Sequence, residues 1–454
     1  EMDEHWELPE TLLKGTKGMR DAGEKYLPKN PRESDTAYQN RKKKSFLYNA
    51  YKRTVQSLSS QPFIKPVVVK NVPPALEYLE HDADSTGRSL TEICHDHLFN
   101  QIHYGLSHNL IDYPEVEGPI SVEDQELLNI RPFFNPISPK ELVYWDGERV
   151  GGVDVLKEAR IREVSIEVNE EGQETYVERV RVLTPEVFQT DFVQDDSEIF
   201  VESQGPNALG FVPVQTAYGN KTGFLMGSPA LEDLAWLNLR HWQSTSEQNH
   251  ILHVARVPVL FGSGWEEGEL EGVEIGADRA IFSNDPNSKL QYVEHSGQAI
   301  GSGRNDIRDI EQQMSSIGAD LLINKSVSRQ TATARQIDKS ESLSTLQQMI
   351  RNLERMIEES YRVAGEWIGV DASDVEVRIG EDLSVPGNES NVVETLEELR
   401  NRGIISAEDE LAELKRRGVL SPSVQIPQDV PSDDFNPREE DNTDETEPNK
   451  EGND

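Results

Sequence analysis

The stretch GRNDIRDIEQQMSSIGADLLINKSVSRQTATARQIDKSESLSTLQQMIRNLERMIEESYRVAGEWIGV (Gly303–Val370) decides the architecture. From Asp306 its apolar residues fall at Ile307, Ile310, Met314, Ile317 and Leu321, one stripe at helical spacing. The stripe stops at Asn324-Lys325-Ser326-Val327-Ser328-Arg329-Gln330, which has no apolar face. A second stripe then runs through Leu346, Ile350, Leu353, Ile357, Tyr361, Ala364 and Ile368. Neither Pro nor Gly interrupts Thr333 to Ala364. An unbroken helix of that length would span roughly 50 Å. Such a rod exceeds the interior of a small domain and packs along something equally extended, often copies of itself. The plain reading is two core helices joined by a loop. The sharper one is a polar loop held out on two stiff arms.

Composition narrows the field. At 454 residues the chain holds several domain-sized units, and 35% hydrophobic residues are enough for a core. Its 83 acidic residues against 45 basic ones give a net charge of −38. That balance argues against a sequence-reading DNA-binding protein, which carries a basic footprint. It suits solubility in concentrated salt, where at about 1 M the screening length falls to about 3 Å and self-repulsion fades. A halophilic setting is the expectation. The single cysteine, Cys94, excludes an internal disulfide framework. No apolar run approaches the roughly 20 residues of a membrane span, and no signal-peptide pattern opens the chain. Because the chain begins at Glu1, its natural start is expected upstream.

Around the deciding stretch the chain reads in order. Trp6 to Pro28, rich in Gly and Pro, reads as an irregular arm. Tyr38 to Leu58 reads as one helix with Phe46, Leu47, Ala50, Tyr51, Val55 and Leu58 on its apolar face. The basic run Arg41-Lys42-Lys43-Lys44 is a solvated face or a patch for an acidic partner or DNA. A helix is expected over Leu90–Tyr104, and alternating strands from Val143 to Val214, with a hairpin turning at Asn169–Gln173. Gly227-Ser228-Pro229-Ala230-Leu231-Glu232 starts a helix reaching about His253, with Ser228 as cap. Its middle, Gln243 to His250, is polar all round and needs partners. Val257–Gly262 reads as a strand and 263–300 as short Gly-rich turns. Val375–Ile379 reads as a short strand. Asn391–Arg402 and Ala407–Arg417 are two helices, the second opened by a capping box of Ser406 and Asp409. From Ser421 onward, Pro, Asp, Glu and Asn predict an acidic disordered tail.

The candidate chemistry is thin. Asp82-Ala83-Asp84-Ser85-Thr86-Gly87 mimics half a calcium loop, but position twelve is Ile93 where a bidentate Glu is required, so it reads as a polar turn. Cys94, His95, His97, His103 and His108 lack metal-ligand spacing. Gly301-x-Gly303 lacks a preceding strand, a third glycine and a downstream lysine, so it is no phosphate cradle. With no Walker motif and no nucleophile–His–acid set, the reading is not an enzyme, with no metal and no cofactor.

The strings Ile310–Leu322, Gln330-Thr331-Ala332-Thr333-Ala334 and Ser342–Leu346 resemble the portal proteins of tailed double-stranded DNA viruses. The likeness extends over roughly Trp6 to Gly418. It implies an α+β chain: N-terminal arm and mixed α/β wing over 1–228, and a stem helix over 229–253. A small β-containing clip follows at 254–303, then a second stem helix at 304–322 and a tunnel loop at 323–332. The long helix and a return to the wing occupy 333–388, a helical crown 389–420, and the acidic tail 421–454. It further implies a ring of about twelve copies at one vertex of the virion capsid, assembled in the host cytoplasm. Double-stranded DNA would enter and leave through its channel. Terminase, the major capsid protein and a head–tail adaptor would dock on it, with no membrane involved. The arm at Trp6–Pro28 would wrap a neighbouring subunit. Asn324, Lys325, Ser326, Arg329, Gln330 and Thr331 would lie nearest the DNA. An acidic lumen would repel phosphates and let the duplex slide, while Lys325 and Arg329 would give a weak hold. The competing reading is a coiled-coil or scaffold protein of an assembly without a DNA channel.

Overall fold

The computed structural model describes residues 2–114, 128–168, 172–194, 198–255, 259–264, 286–293, 298–320 and 345–380, and, near the C-terminus, 396–397, 399–402, 406, 409–411 and 414. The chain divides into two compact units, Glu1–Glu381 and Asp382–Asp454. The first mixes helices and sheets.

The N-terminal segment is helical rather than irregular. Helix α1 spans Met2–Leu13 and α2 spans Gly15–Ala22. Pro9 lies inside α1, where it has no N–H to give. Burial offsets that loss: Trp6, Leu8, Leu12 and Met19 are all in the core, and the Trp6 indole donates to the Tyr104 carbonyl at 2.9 Å. The segment therefore packs on its own chain.

The expected single helix over Tyr38–Leu58 is two, α3 (Asp35–Lys44) and α4 (Ala50–Ser60). The side chain of Asn49 accepts from Lys52 N–H and caps α4, while Arg20 grips the Ser45 carbonyl. Leu47, Tyr51, Val55 and Leu58 are buried as expected, but the break turns Phe46 out to solvent. Within the basic run, Arg41 is buried and forms a bidentate pair with Glu33 at 2.9 and 2.8 Å. That pairing holds the Glu33 carboxyl at about 2. Arg41 is thus structural, and Lys43 and Lys44 remain exposed.

Helix α5 spans Leu90–Tyr104 as the sequence predicts. Ser89 and Glu92 form a full capping box, and Gly105 closes the helix in the left-handed conformation, φ +88°. A Cβ at Gly105 would stand 2.1 Å from the Ser228 carbonyl oxygen, so glycine is required there twice over. The Asp82–Gly87 turn closes on itself: Asp82 accepts from Gly87 N–H and Asp84 from Thr86 N–H.

Strands β1 (Val68–Lys70), β2 (Leu106–Asp112) and β3 (Phe133–Ile137) precede a five-stranded antiparallel meander, β4 to β8. Its strands are Leu142–Val150, Val153–Val168, Glu174–Leu183, Val187–Gln194 and Glu198–Pro206. The expected hairpin holds its register, with Ile166 opposite Tyr176. One face of the sheet joins a core of Leu110, Ile137, Ile161 and Leu183 and, further out, carries Arg179 between Glu167 and Glu202. The opposite face is less polar than alternation suggested, with Val164, Ile166 and Tyr176 exposed.

Strand β9 (Val214–Tyr218) pairs with β2, giving a three-stranded sheet in the order β3-β2-β9. A short hairpin, β10 (Lys221–Gly223) with β11 (Met226–Gly227), follows. Helix α6 (Glu232–Ala255), the strand pair β12 (Val259–Ser263) and β13 (Lys289–Val293), and helix α7 (Gln298–Asp320) come next. Helix α8 spans Thr345–Ile368. The final strand β14 (Glu376–Arg378) pairs with β1, within the 1–228 stretch, and not with the five-stranded sheet. In the second unit Ser406 and Asp409 make the expected capping box, with Asp409 N–H donating to Ser406 Oγ at 3.1 Å.

Candidate functional site

The candidate site is the arm formed by α6 and α7, with α8 as its anchor. Helix α6 begins at Glu232 rather than at the predicted cap Ser228, whose hydroxyl is bonded to the Asn220 amide at 2.7 Å. The two helices run antiparallel. Gln248 donates to the Ile300 carbonyl at 3.0 Å, Arg240 pairs with Asp306 at 2.9 Å, and His241 meets Glu311 at 3.2 Å. Gln243 reaches the Tyr26 carbonyl at 2.7 Å. In the polar middle of α6, Gln243, Ser244 and Gln248 thus find partners within their own chain, while the buried hydroxyls of Thr245 and Ser246 do not.

Helix α7 starts earlier than the sequence suggested and takes Gly301 and Gly303 into its interior. The reason for Gly303 is contact: a Cβ there would lie 2.1 Å from Gln248 Oε1. The predicted stripe faces inward, with Ile310 and Met314 buried and Ile307 and Ile317 half-buried. On the opposite side, Gly301, Asn305, Arg308, Gln312 and Ser316 form a line at helical spacing, all exposed. Its charges are mixed: Arg308 lies on the line, and the exposed Arg304 and Asp309 flank it on either side. The sequence reading missed this line by attending to the apolar stripe and the loop. The signal was there in the recurrence of small and amide residues every three or four positions.

Helix α8 is set deep. Leu346, Ile350, Leu353, Ile357, Tyr361 and Ala364 are all buried, as predicted. Side chains bolt it to the three-stranded sheet: Asn352 donates to the Tyr218 carbonyl at 2.9 Å, Asn109 to Ser360 Oγ at 2.9 Å, and Trp367 to the Ile111 carbonyl at 3.1 Å. Gln101 donates to Met349 O at 3.1 Å. Three histidines lie in this joint. His97 meets Ser107 Oγ, His103 meets Tyr51 Oη and His108 meets Thr216 Oγ1, each at 2.8 Å. Burial pushes them down to about 4, about 4 and about 3, so they are neutral at neutral pH. Among the described residues no group of three His, Cys, Asp or Glu side chains is placed to hold a metal. No described helix is long and apolar enough to cross a membrane.

The predicted DNA-proximal residues Asn324, Lys325, Ser326, Arg329, Gln330 and Thr331 lie outside the described residues, as do the start of the long helix at Thr333 and the tail beyond Ser421. What the structure gives is their two supports, α7 ending at Asp320 and α8 beginning at Thr345.

Two concavities flank these elements. One, about 650 Å³, lies between α4 and α7 and is lined by Tyr48, Arg53, Thr54, Leu58, Glu311 and Met314 among others. The other, about 890 Å³, is lined by Tyr113, Phe188 and Trp367 and holds Arg181. Arg181 is gripped by Asp112 and Glu163, so it offers no free cation to an anionic ligand.

Residues 230–368 match a family model described as a domain of unknown function, DUF4055. No curated protein sequence matches the chain. Among solved structures it is similar to a chain in the "virion of native gene transfer agent (GTA) particle", at 12% identity over 80% of this chain and 89% of that one, TM-score 0.42. It is similar to a chain in the "neck of empty GTA particle computed with C6 symmetry", at 11% identity over 89% and 99%, TM-score 0.42. A chain in the "neck of native GTA particle computed with C12 symmetry" matches at 11% identity over 87% and 98%, TM-score 0.43. At these identities and TM-scores the likenesses assign no function to this chain.

Proposed function

We propose that this chain is the protomer of a portal: a ring at one vertex of a tailed-virus capsid through which double-stranded DNA is packaged and ejected. The observation that carries it is the contrast built into one arm. A two-helix rod with a hydrophilic outer line, Gly301 to Ser316, runs between the strand pair β12–β13 and the segment that leads to the deeply anchored α8. Rods of this kind, repeated around an axis, enclose an aqueous pore.

In this reading α6 and α7 form the stem, β12–β13 belongs to the clip where terminase and then a head–tail adaptor dock, and 323–332 forms a loop at the pore. A conduit must let its cargo slide. Apart from Arg308, the Gly301–Ser316 line meets that need with amide, hydroxyl and glycine groups that make no strong ion pairs with phosphates. Lys325 and Arg329 supply the weak, reversible hold. The protein acts by shape and charge, without catalysis.

The test is negative-stain imaging of the purified chain, followed by deletion of Asn324–Gln330 in the particle. Closed rings of about twelve copies with a central hole wide enough for a duplex are expected. The deletion should spare the rings and impair DNA filling or retention. A solid oligomer or a persistent monomer overturns the reading, and normally filled heads with the deletion overturn the loop's role.

A further inference from the structure

Trp236 lies on α6 and is 55% exposed, while Trp6 and Trp242 are buried. It stands on the side of α6 away from Asn238, the residue that accepts from Tyr51 N–H and donates to the Tyr48 carbonyl. Asn238 therefore faces α4, and Trp236, two positions earlier on the helix, faces the other way. Across the arm, the groove of about 650 Å³ between α4 and α7 opens beside Tyr48, Leu58 and Met314.

These two features sit at one level along the arm. The Tyr48 ring lies 5.6 Å from that of His241, and His241 bonds Glu311, a groove residue, at 3.2 Å. Trp236 is little more than one helical turn from His241. In a closed ring whose axis runs along the arms, each copy is related to the next by rotation without translation. Knob and hole must then lie at equal height on different flanks of the protomer, and these do. The charges complement as well. Asp233, one turn before Trp236, is exposed, and Arg53 on the groove rim is exposed; neither has an ion-pair partner among the described residues.

We infer that Trp236 of one copy seats in the Tyr48–Leu58–Met314 groove of the next, with Asp233 meeting Arg53 across the contact. The occupant is a second copy of this chain, and the inference rests on the ring reading above. The contact is head-to-tail, so it closes only as a ring or continues as a filament. A buried tryptophan in an apolar pocket is the usual centre of such an interface, and a rim ion pair sets its register.

The test uses the full chain, sized by mass photometry over a concentration series. W236A should raise the concentration at which rings dissociate by roughly thirty-fold or more. D233R and R53D should each weaken the ring, and the double variant D233R/R53D should restore it. Thermal melting of the isolated variants should stay unchanged, since Trp236, Asp233 and Arg53 are exposed. As a second readout, W236C with S57C should cross-link neighbouring copies through a short bismaleimide, against a background in which the native Cys94 is buried. If wild-type rings persist, and W236A and both charge reversals leave them unweakened with no cross-link, this contact is wrong while the ring reading stands. If the wild type never forms a ring, the proposed function itself falls.

Discussion

Helices α7 and α8 are nearly equal in length, 23 and 24 residues, and sit on either side of the same segment, yet their surroundings differ. Helix α8 buries eleven residues, among them Leu353, Ile357 and Tyr361, and is bonded to the sheet below it by side chains. Helix α7 has Ile310 and Met314 in the core, and its other described side chains are exposed or half-buried. The first is finished within the chain. The second has unspent surface: a line of exposed polar groups on one side and a groove on another. On the proposed ring, a rod so lightly packed gains its further order from neighbouring copies, whereas α8 needs none.

That contrast can be broken in several ways. The largest expected effect is acid. Folded, His97, His103 and His108 stay neutral down to about 4, about 4 and about 3, against an ordinary value of 6.5. Between those values the unfolded chain binds more protons, so stability falls as pH drops from about 6.5 toward 4, by up to about 3 kcal/mol per histidine. Glu33, held at about 2, adds to the loss below 4.5. Glu163 and Glu354, pushed up by burial, act in the opposite sense over the range where they protonate. Amide hydrogen exchange across that pH range should show the α5–α8 joint loosening. Equal protection at pH 7 and pH 4.5 would refute the neutral-histidine account.

Next come core truncations. Tyr361→Ala removes a fully buried ring packed edge-on against Phe134 and should cost about 3–5 kcal/mol in a urea titration. Met314→Ala, beside an open groove, should cost about 2 kcal/mol, because its surroundings can collapse or hydrate. A reversed order would sink the distinction between finished and unfinished helices. Gly303→Ala meets only the terminal amide of Gln248, which can swing away; losing its bond to the Ile300 carbonyl should cost about 1 kcal/mol, offset by alanine's better helix propensity, for a net change within about 1 kcal/mol. A loss above about 3 kcal/mol would show that the Gln248 amide cannot move aside. The smallest effect is Asp306→Asn, which removes an exposed pair with Arg240 and should change stability by less than about 1 kcal/mol. Salt bears on the assembly rather than the fold. A chain of −38 should hold its rings at molar salt and loosen them at low salt, and salt-independent rings would contradict a halophilic adaptation.

Local signals were legible and distant pairings were not. Helix α5 was readable because Ser89, Glu92 and Gly105 mark both ends chemically. The stripes of α7 and α8 followed from periodicity alone. The break between α3 and α4 was hidden because Phe46 and Leu47 continue an apolar pattern through it, and the Asn49 cap gives a weaker signal. In α1 the punctuation of Pro9 and Gly15 masked a helix that tertiary burial of Trp6 and Leu12 sustains. The exact partner of β14 was not readable, since nothing local in Glu376–Arg378 specifies a strand some three hundred residues away. The arm's outer line went unread because its recurrence of small and amide residues is a weaker signal than the apolar stripe on the same helix.

The central claim is that α7 lines an open pore shared by many copies. A cryo-EM reconstruction of the assembled chain tests it directly. The account predicts a closed ring in which Gly301, Asn305, Arg308, Gln312 and Ser316 face a water-filled axial channel. A reconstruction with that line sealed inside a protein contact, or with no channel on the symmetry axis, would contradict it.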